Sequence, residues 1–138
     1  MKLADVLMIR EIHAASQGGA LNEEWFVVEN TGDRPFSTAG VSVSVGKGEG
    51  KPRLKPIGTL DPGFTLKPAE RVRVITGNPG KKAHGAVPGE DGLKNYHLFL
   101  PSALIAGKGT VLGLSLRQQE LARATFEPDA PGGVRAGG

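Results

Sequence analysis

The chain has 138 residues and a formal net charge of +3, a length that suits one domain and needs no covalent staple to hold a core. It contains no cysteine, which excludes disulfides, thiolate metal centres and a cysteine nucleophile. Its 21 glycines and 10 prolines far exceed the ordinary combined share of about 12%; both residues weaken helix interiors, which speaks against an all-α bundle.

Apolar alternation with period two, the mark of strands with one buried face, recurs along the sequence. Leu7 to Ile12 reads as a first strand. Trp25-Phe26-Val27-Val28 is apolar on both faces and reads as a central strand. Its tryptophan, able to bury roughly 150–250 Å², is expected to anchor the core. Asn30-Thr31-Gly32-Asp33-Arg34-Pro35 stops that strand with turn formers. Val41 to Val45 sets valines on one side and serines on the other. Asp61-Pro62-Gly63 and Lys67-Pro68-Ala69-Glu70 are turn signals before Arg71-Val72-Arg73-Val74, a strand expected to point both arginines outward.

Residues 77–92, with five glycines and two prolines, read as a long surface loop of the mobile or functional kind. Further strands are expected at Tyr96 to Leu100, Thr110 to Leu116 and Ala122 to Phe126. Leu116 to Ala124 also has the composition of two helical turns; the flanking strand patterns favour a hairpin turning at Gln118-Gln119, without the usual glycine or asparagine. The expected class is all-β, an immunoglobulin-like sandwich of about seven to nine strands over residues 1–128, followed by a disordered Gly-rich tail at 129–138.

Charge is uneven. Residues 1–45 carry three basic against six acidic groups, residues 46–82 nine against three, and residues 83–138 five of each. A basic middle third attracts phosphate or an acidic partner; solvated loop lysines are the plainer alternative. Lys47, Lys51, Arg53, Lys55, Lys81 and Lys82 are the candidate contacts for such a partner. Gly40 to Lys47, followed by Gly48, fails the spacing and hydroxyl requirement of a phosphate-binding P-loop, while the segments Gly46 to Lys51 and Gly80 to Gly85 could hold an anion loosely.

Catalytic signatures are weak. His13, His84 and His97 lack metal-ligand spacing. Gly40-Val41-Ser42-Val43-Ser44 misses the final glycine of a nucleophile elbow. The acidic pairs Glu23-Glu24 and Glu90-Asp91 read as solvated. No enzyme activity, metal or cofactor is expected. No stretch of about 20 apolar residues is present, and Asp5, Arg10 and Glu11 break the apolar run that a signal peptide needs. The expected location is cytoplasmic, with secretion left open for a chain trimmed of its leader.

The order of motifs resembles the lamin-tail domain, the immunoglobulin-like module of nuclear lamins and many bacterial proteins. The carrying residues are Met8 to His13, then Glu24-Trp25-Phe26-Val27-Val28-Glu29-Asn30-Thr31-Gly32, Gly40-Val41-Ser42-Val43, Leu66-Lys67-Pro68-Ala69-Glu70-Arg71-Val72-Arg73-Val74 and a Leu-rich strand near the end. The resemblance spans roughly residues 6 to 127. Val41 stands where the family often has tryptophan, Gln118-Gln119 replaces an Asp/Gly-type turn, and Gly46 to Pro56 is an insertion. The resemblance implies a non-catalytic interaction module that binds protein, DNA or another acidic partner through loops or a sheet edge; no family binding residue maps onto this sequence. Self-association through a sheet edge is the alternative, followed by a small metal-dependent hydrolase built on the three histidines.

Overall fold

Ten strands form among the residues that the computed structural model describes, which are 6–15, 20–47, 53–89 and 92–135. They are β1 (Leu7–His13), β2 (Trp25–Asn30), β3 (Phe36–Ser37), β4 (Ser42–Lys47), β5 (Lys55–Thr59), β6 (Thr65–Leu66), β7 (Arg71–Ile75), β8 (Lys94–His97), β9 (Thr110–Leu116) and β10 (Gln119–Thr125). The only helical pieces among these residues are 3-10 turns at Leu21–Glu23, Lys82–His84 and Pro131–Gly133. The class is all-β as the alternation predicts, with one strand more than the upper expectation. A four-stranded sheet ordered β1-β2-β7-β8 faces another ordered β10-β9-β4-β5, and β3 pairs with β6.

The core lies between the two sheets. Leu7, Ile9, Ile12, Phe26, Val28, Val72 and Val74 enter it from the first sheet, and Val43, Leu112, Leu114, Leu121 and Ala124 from the second. Two bulges adapt the sequence to that face. In β1 the register passes from Ile9↔Val28 to Glu11↔Val27, so Arg10 is an extra residue and Ile9 and Ile12 both point inward. In β10 it passes from Glu120↔Ser115 to Ala122↔Leu114, which leaves Leu121 extra and fully buried. A bulge bends its strand and re-aims side chains.

The Leu116 to Ala124 segment is the hairpin and not the helix. Its turn falls on Arg117 and Gln118, one residue before the expected pair, both at positive φ (51° and 69°). That is the mirror-image turn whose twist suits two right-twisted strands.

Trp25 does not anchor the core. It opens β2 on the outer face of the first sheet, half-buried, and the apolar cluster between the sheets is built on its neighbour Phe26. The indole lies between His13 of β1, stacked at 4.7 Å and 6°, and the Arg73 guanidinium of β7, 4.7 Å from the ring centroid. Arg73 is likewise not solvent-facing: it is 5% exposed.

Both corrections share one cause. β7 and β8 are adjacent and parallel, and a parallel pair requires a crossover of a dozen or more residues. Residues 76–93 connect them, and the described stretch 76–89 lies against the outer face, where Arg73 donates to Gly89 O (3.0 Å) and Asn95 Nδ2 to Pro88 O (2.8 Å). Val27 and Ile75, on that same outer face by register, are fully buried. The stretch expected as a surface loop is one, exposed at most of its described positions, and it also covers the outer face of the sheet.

The C-terminal segment differs from the expected tail as far as Arg135. Phe126 bridges to Val134, and Arg135 N–H donates to Thr125 O at 3.0 Å. The segment then runs between the edges of β10 and β1. A Cβ at Gly133 would collide with Ile12 O, so glycine is what allows this close approach to the β1 backbone. The final three residues lie outside the described ones.

The two aromatic neighbours should separate in urea unfolding. Phe26→Ala is expected to lose about 3–5 kcal/mol as a core cavity. Trp25→Ala should lose about 1–3 kcal/mol, the scale of one stacked pair, one cation–π contact and partial burial. Equal losses would return Trp25 to the core.

Candidate functional site

The end of the first sheet where β2 begins collects the three histidines and the Glu23-Glu24 pair singled out by sequence. All three histidines serve the backbone there. His13 Nδ1 donates to Glu23 O at 2.7 Å, and His97 Nδ1 to Gly77 O at 3.1 Å. His84 Nδ1 accepts the Asn78 N–H at 2.9 Å. No group of three or more His, Cys, Asp or Glu among the described residues is placed to hold a metal ion. Asn22, fully buried, donates through Nδ2 to Asn78 O and Gly85 O, both at 3.0 Å. It pins the start of the crossover, and a Cβ at Gly77 would stand 2.6 Å from its Oδ1.

Glu24, expected to be solvated, is 1% exposed. Its Oε1 accepts the Thr76 hydroxyl and the Leu104 N–H, each at 2.7 Å, and its Oε2 accepts the Ile105 N–H at 3.1 Å. One carboxylate thus joins the start of β2, the end of β7 and the connection from the first sheet to β9. Its position rests on the 3-10 turn at Leu21–Glu23. Glu90 and Asp91 lie outside the described residues.

A recess of about 500 Å³ opens beside the stacked pair, lined in part by Ile12, His13, Trp25, Phe126 and Pro128. Its walls are mostly apolar. A hydroxyl nucleophile is not among its lining residues, and the hydrogen bond made by its histidine goes to a backbone carbonyl. Glu11 and His13 are the titratable groups in its lining.

Farther along the same outer face, Glu29 gathers two cations. Arg10, on the β1 bulge, donates through Nε to Glu29 Oε1 at 2.9 Å, and Arg71 through Nε to the same oxygen at 2.7 Å. The Arg10 hydrogen bond does most to hold the Glu29 carboxyl below its ordinary value of 4.5. Burial pushes the other way, and the Arg71 hydrogen bond and the two positive charges add to the lowering.

The candidate cations divide between two layers. Lys47, Arg53 and Lys55 are exposed on the β4–β5 hairpin of the second sheet, with Lys47 Nζ donating to Ala106 O at 3.3 Å. Lys81 and Lys82 are exposed on the crossover over the first sheet. Lys51 lies outside the described residues. Sequence reasoning missed Asn22 and the role of Glu24, whose partners stand 52 and 80 positions away in the chain. No protein-family model matches the chain, and no curated protein matches it.

Glu24→Gln replaces an acceptor-only group by one that turns an amide N–H toward other donors. The expected loss is about 1–3 kcal/mol in urea unfolding, with hydrogen-exchange protection falling first at Leu104 and Ile105. Unchanged protection there would show that the carboxylate does not hold the connection.

The lowered Glu29 value also fixes a pH dependence. The carboxyl binds its proton more weakly folded than unfolded, so its contribution is present above pH 4.5 and is lost as pH falls through the lower folded value. Urea midpoints of wild type and Glu29→Gln should differ at neutral pH and converge in acid. A gap that stays constant across that range would contradict the ion-pair assignment.

Proposed function

We propose that this domain is a non-catalytic interaction module, of the lamin-tail type that its sequence resembles, and that it engages an acidic macromolecule through the β4–β5 hairpin and the crossover. One contrast carries the reading. Arg10 and Arg71 are paired with Glu29, Arg123 with Glu120, and Lys108 and Arg135 with Glu127. Lys47, Arg53, Lys55, Lys81 and Lys82 are exposed and make no ion pair with any described residue; Arg34, Lys67, Lys94 and Arg117 share that state but are scattered singly, whereas these five cluster on two segments. Unneutralised surface cations favour polyanions by releasing counterions from them.

The structural use of all three histidines supports the non-catalytic part of the proposal. Edge pairing, the alternative, has less to stand on at two of the edges. The β1 edge is occupied in part by the C-terminal segment, and β5 carries Pro56 and a register shift, both of which oppose strand addition.

Duplex DNA and polyglutamate, titrated at low and high salt, test the proposal. Expected is binding at low salt that weakens with log[salt], by a slope of about 0.9 per DNA phosphate neutralised. Replacing the five cations by Gln should flatten that slope without changing the melting temperature. Failure to bind either polymer at low salt would remove the acidic partner.

A further inference from the structure

The outer face of the second sheet carries a groove of about 290 Å³ that none of the preceding roles uses, near the lower end of small-ligand sites. The register builds it. Pro56, Ser44, Gly113 and Arg123 form one rung across β5, β4, β9 and β10, and Thr59, Ser42, Ser115 and Glu120 form the next. Ser44 and Gly113 make a low floor. Leu54 lies over Gly113, where a Cβ would overlap its Cδ1, and Gln118 stands on the other side at the hairpin tip.

One observation sets this groove apart from a merely hydrated sheet face. Ser44, 7% exposed, lines its floor without a hydrogen bond to any described residue, and its hydroxyl is open to the groove. Arg117 and Gln118 hold the two left-handed turn positions, where Asn-Gly would sit without strain. The sequence thus keeps a strained residue whose carboxamide borders the groove.

The chemistry of the lining selects a ligand class. Hydroxyl and carboxamide groups both donate and accept, so they match a ligand that does both at each position. The charged members, Arg123 and Glu120, neutralise each other at 2.7 Å, because the β10 bulge brings positions three apart onto one face. An isolated anion would meet Glu120, and an isolated cation Arg123. Leu54 and Pro56 supply an apolar wall. We propose that the groove binds an oligosaccharide: Ser44, Ser115 and Gln118 hydrogen-bond ring hydroxyls, and Leu54 and Pro56 lie against the C–H face of a ring. The site is independent of the acidic-partner proposal, although Arg53 and Lys55 alternate with its two apolar lining residues.

The test uses the full chain, 15N-labelled, titrated with neutral β-1,4-glucan, β-1,3-glucan, chitin and mannan hexasaccharides and with an oligogalacturonate hexamer. Amide shifts that saturate at Ser44, Gly113, Ser115 and Gln118, with a dissociation constant near 1 mM or tighter, are the expected result. Gln118→Gly should raise the melting temperature by relieving the left-handed strain and yet weaken binding about fivefold or more. Ser44→Val should weaken it similarly. No saturable shift with any of the hexasaccharides at about 10 mM, or unchanged affinity in Gln118→Gly, would overturn the site. Tighter binding of oligogalacturonate, abolished by about 0.5 M salt, supports both the groove and the acidic-partner reading. Equal binding of neutral and acidic chains supports the groove and counts against that reading.

Discussion

The parallel pairing of β7 with β8 is the constraint from which most of the unusual features descend. A chain that leaves β7 at one end of the sheet must return to the other end before β8 can begin, and that return has to lie somewhere. Here it lies on the outer face of the first sheet without an α-helix among its described residues. An irregular return has no internal hydrogen-bond ladder, so its backbone groups need partners from elsewhere. Asn22, Arg73, His84, Asn95 and His97 supply them. Residues whose types suggest chemistry are thereby committed to holding one stretch of backbone.

The same requirement explains a buried carboxylate in a small domain. The connection from β8 to β9 passes from one sheet to the other and presents the N–H groups of Leu104 and Ile105 to the interior. Glu24 accepts both, with the Thr76 hydroxyl as a third donor. An apolar residue at that position would leave these donors unpaired, and a buried donor without a partner is more damaging than a missing hydrogen bond is. The polar groups at this end of the sandwich are chosen by what the connections leave unsatisfied.

Legibility in the sequence followed the range of the responsible interaction. Val43, Val45, Leu112 and Leu114 alternate strictly, and their strands and inward faces follow from period two alone. Where a bulge intervenes, as between Ile9 and Ile12, the alternation breaks and only the partner strand shows why. β3 and β6 have two residues each, too few for any period, and β5 contains Pro56 and Gly58, which strands disfavour. Trp25 and Arg73 were misplaced for one reason: the crossover covers a face that a single strand pattern assigns to solvent. The exposed cations could be read directly as charges. The groove could not, because Ser44, Gly113, Ser115 and Arg123 belong to three strands and meet only through register.

The two sheets therefore divide the molecule unevenly. The outer face of the first is occupied by the chain itself, and a partner reaching Val27, Ile75 or Arg73 would have to displace the crossover. The outer face of the second bears serines and a glycine where the inner face bears valines and leucines, with Leu54 laid across part of it. Small polar residues there satisfy no core and build no wall against a covering segment. They leave a shallow polar surface beside the β4–β5 hairpin, where Lys47, Arg53 and Lys55 also lie. The groove and the hairpin cations share that side because it is the side where folding has least use for the side chains, while Lys81 and Lys82 stand on the crossover over the other sheet.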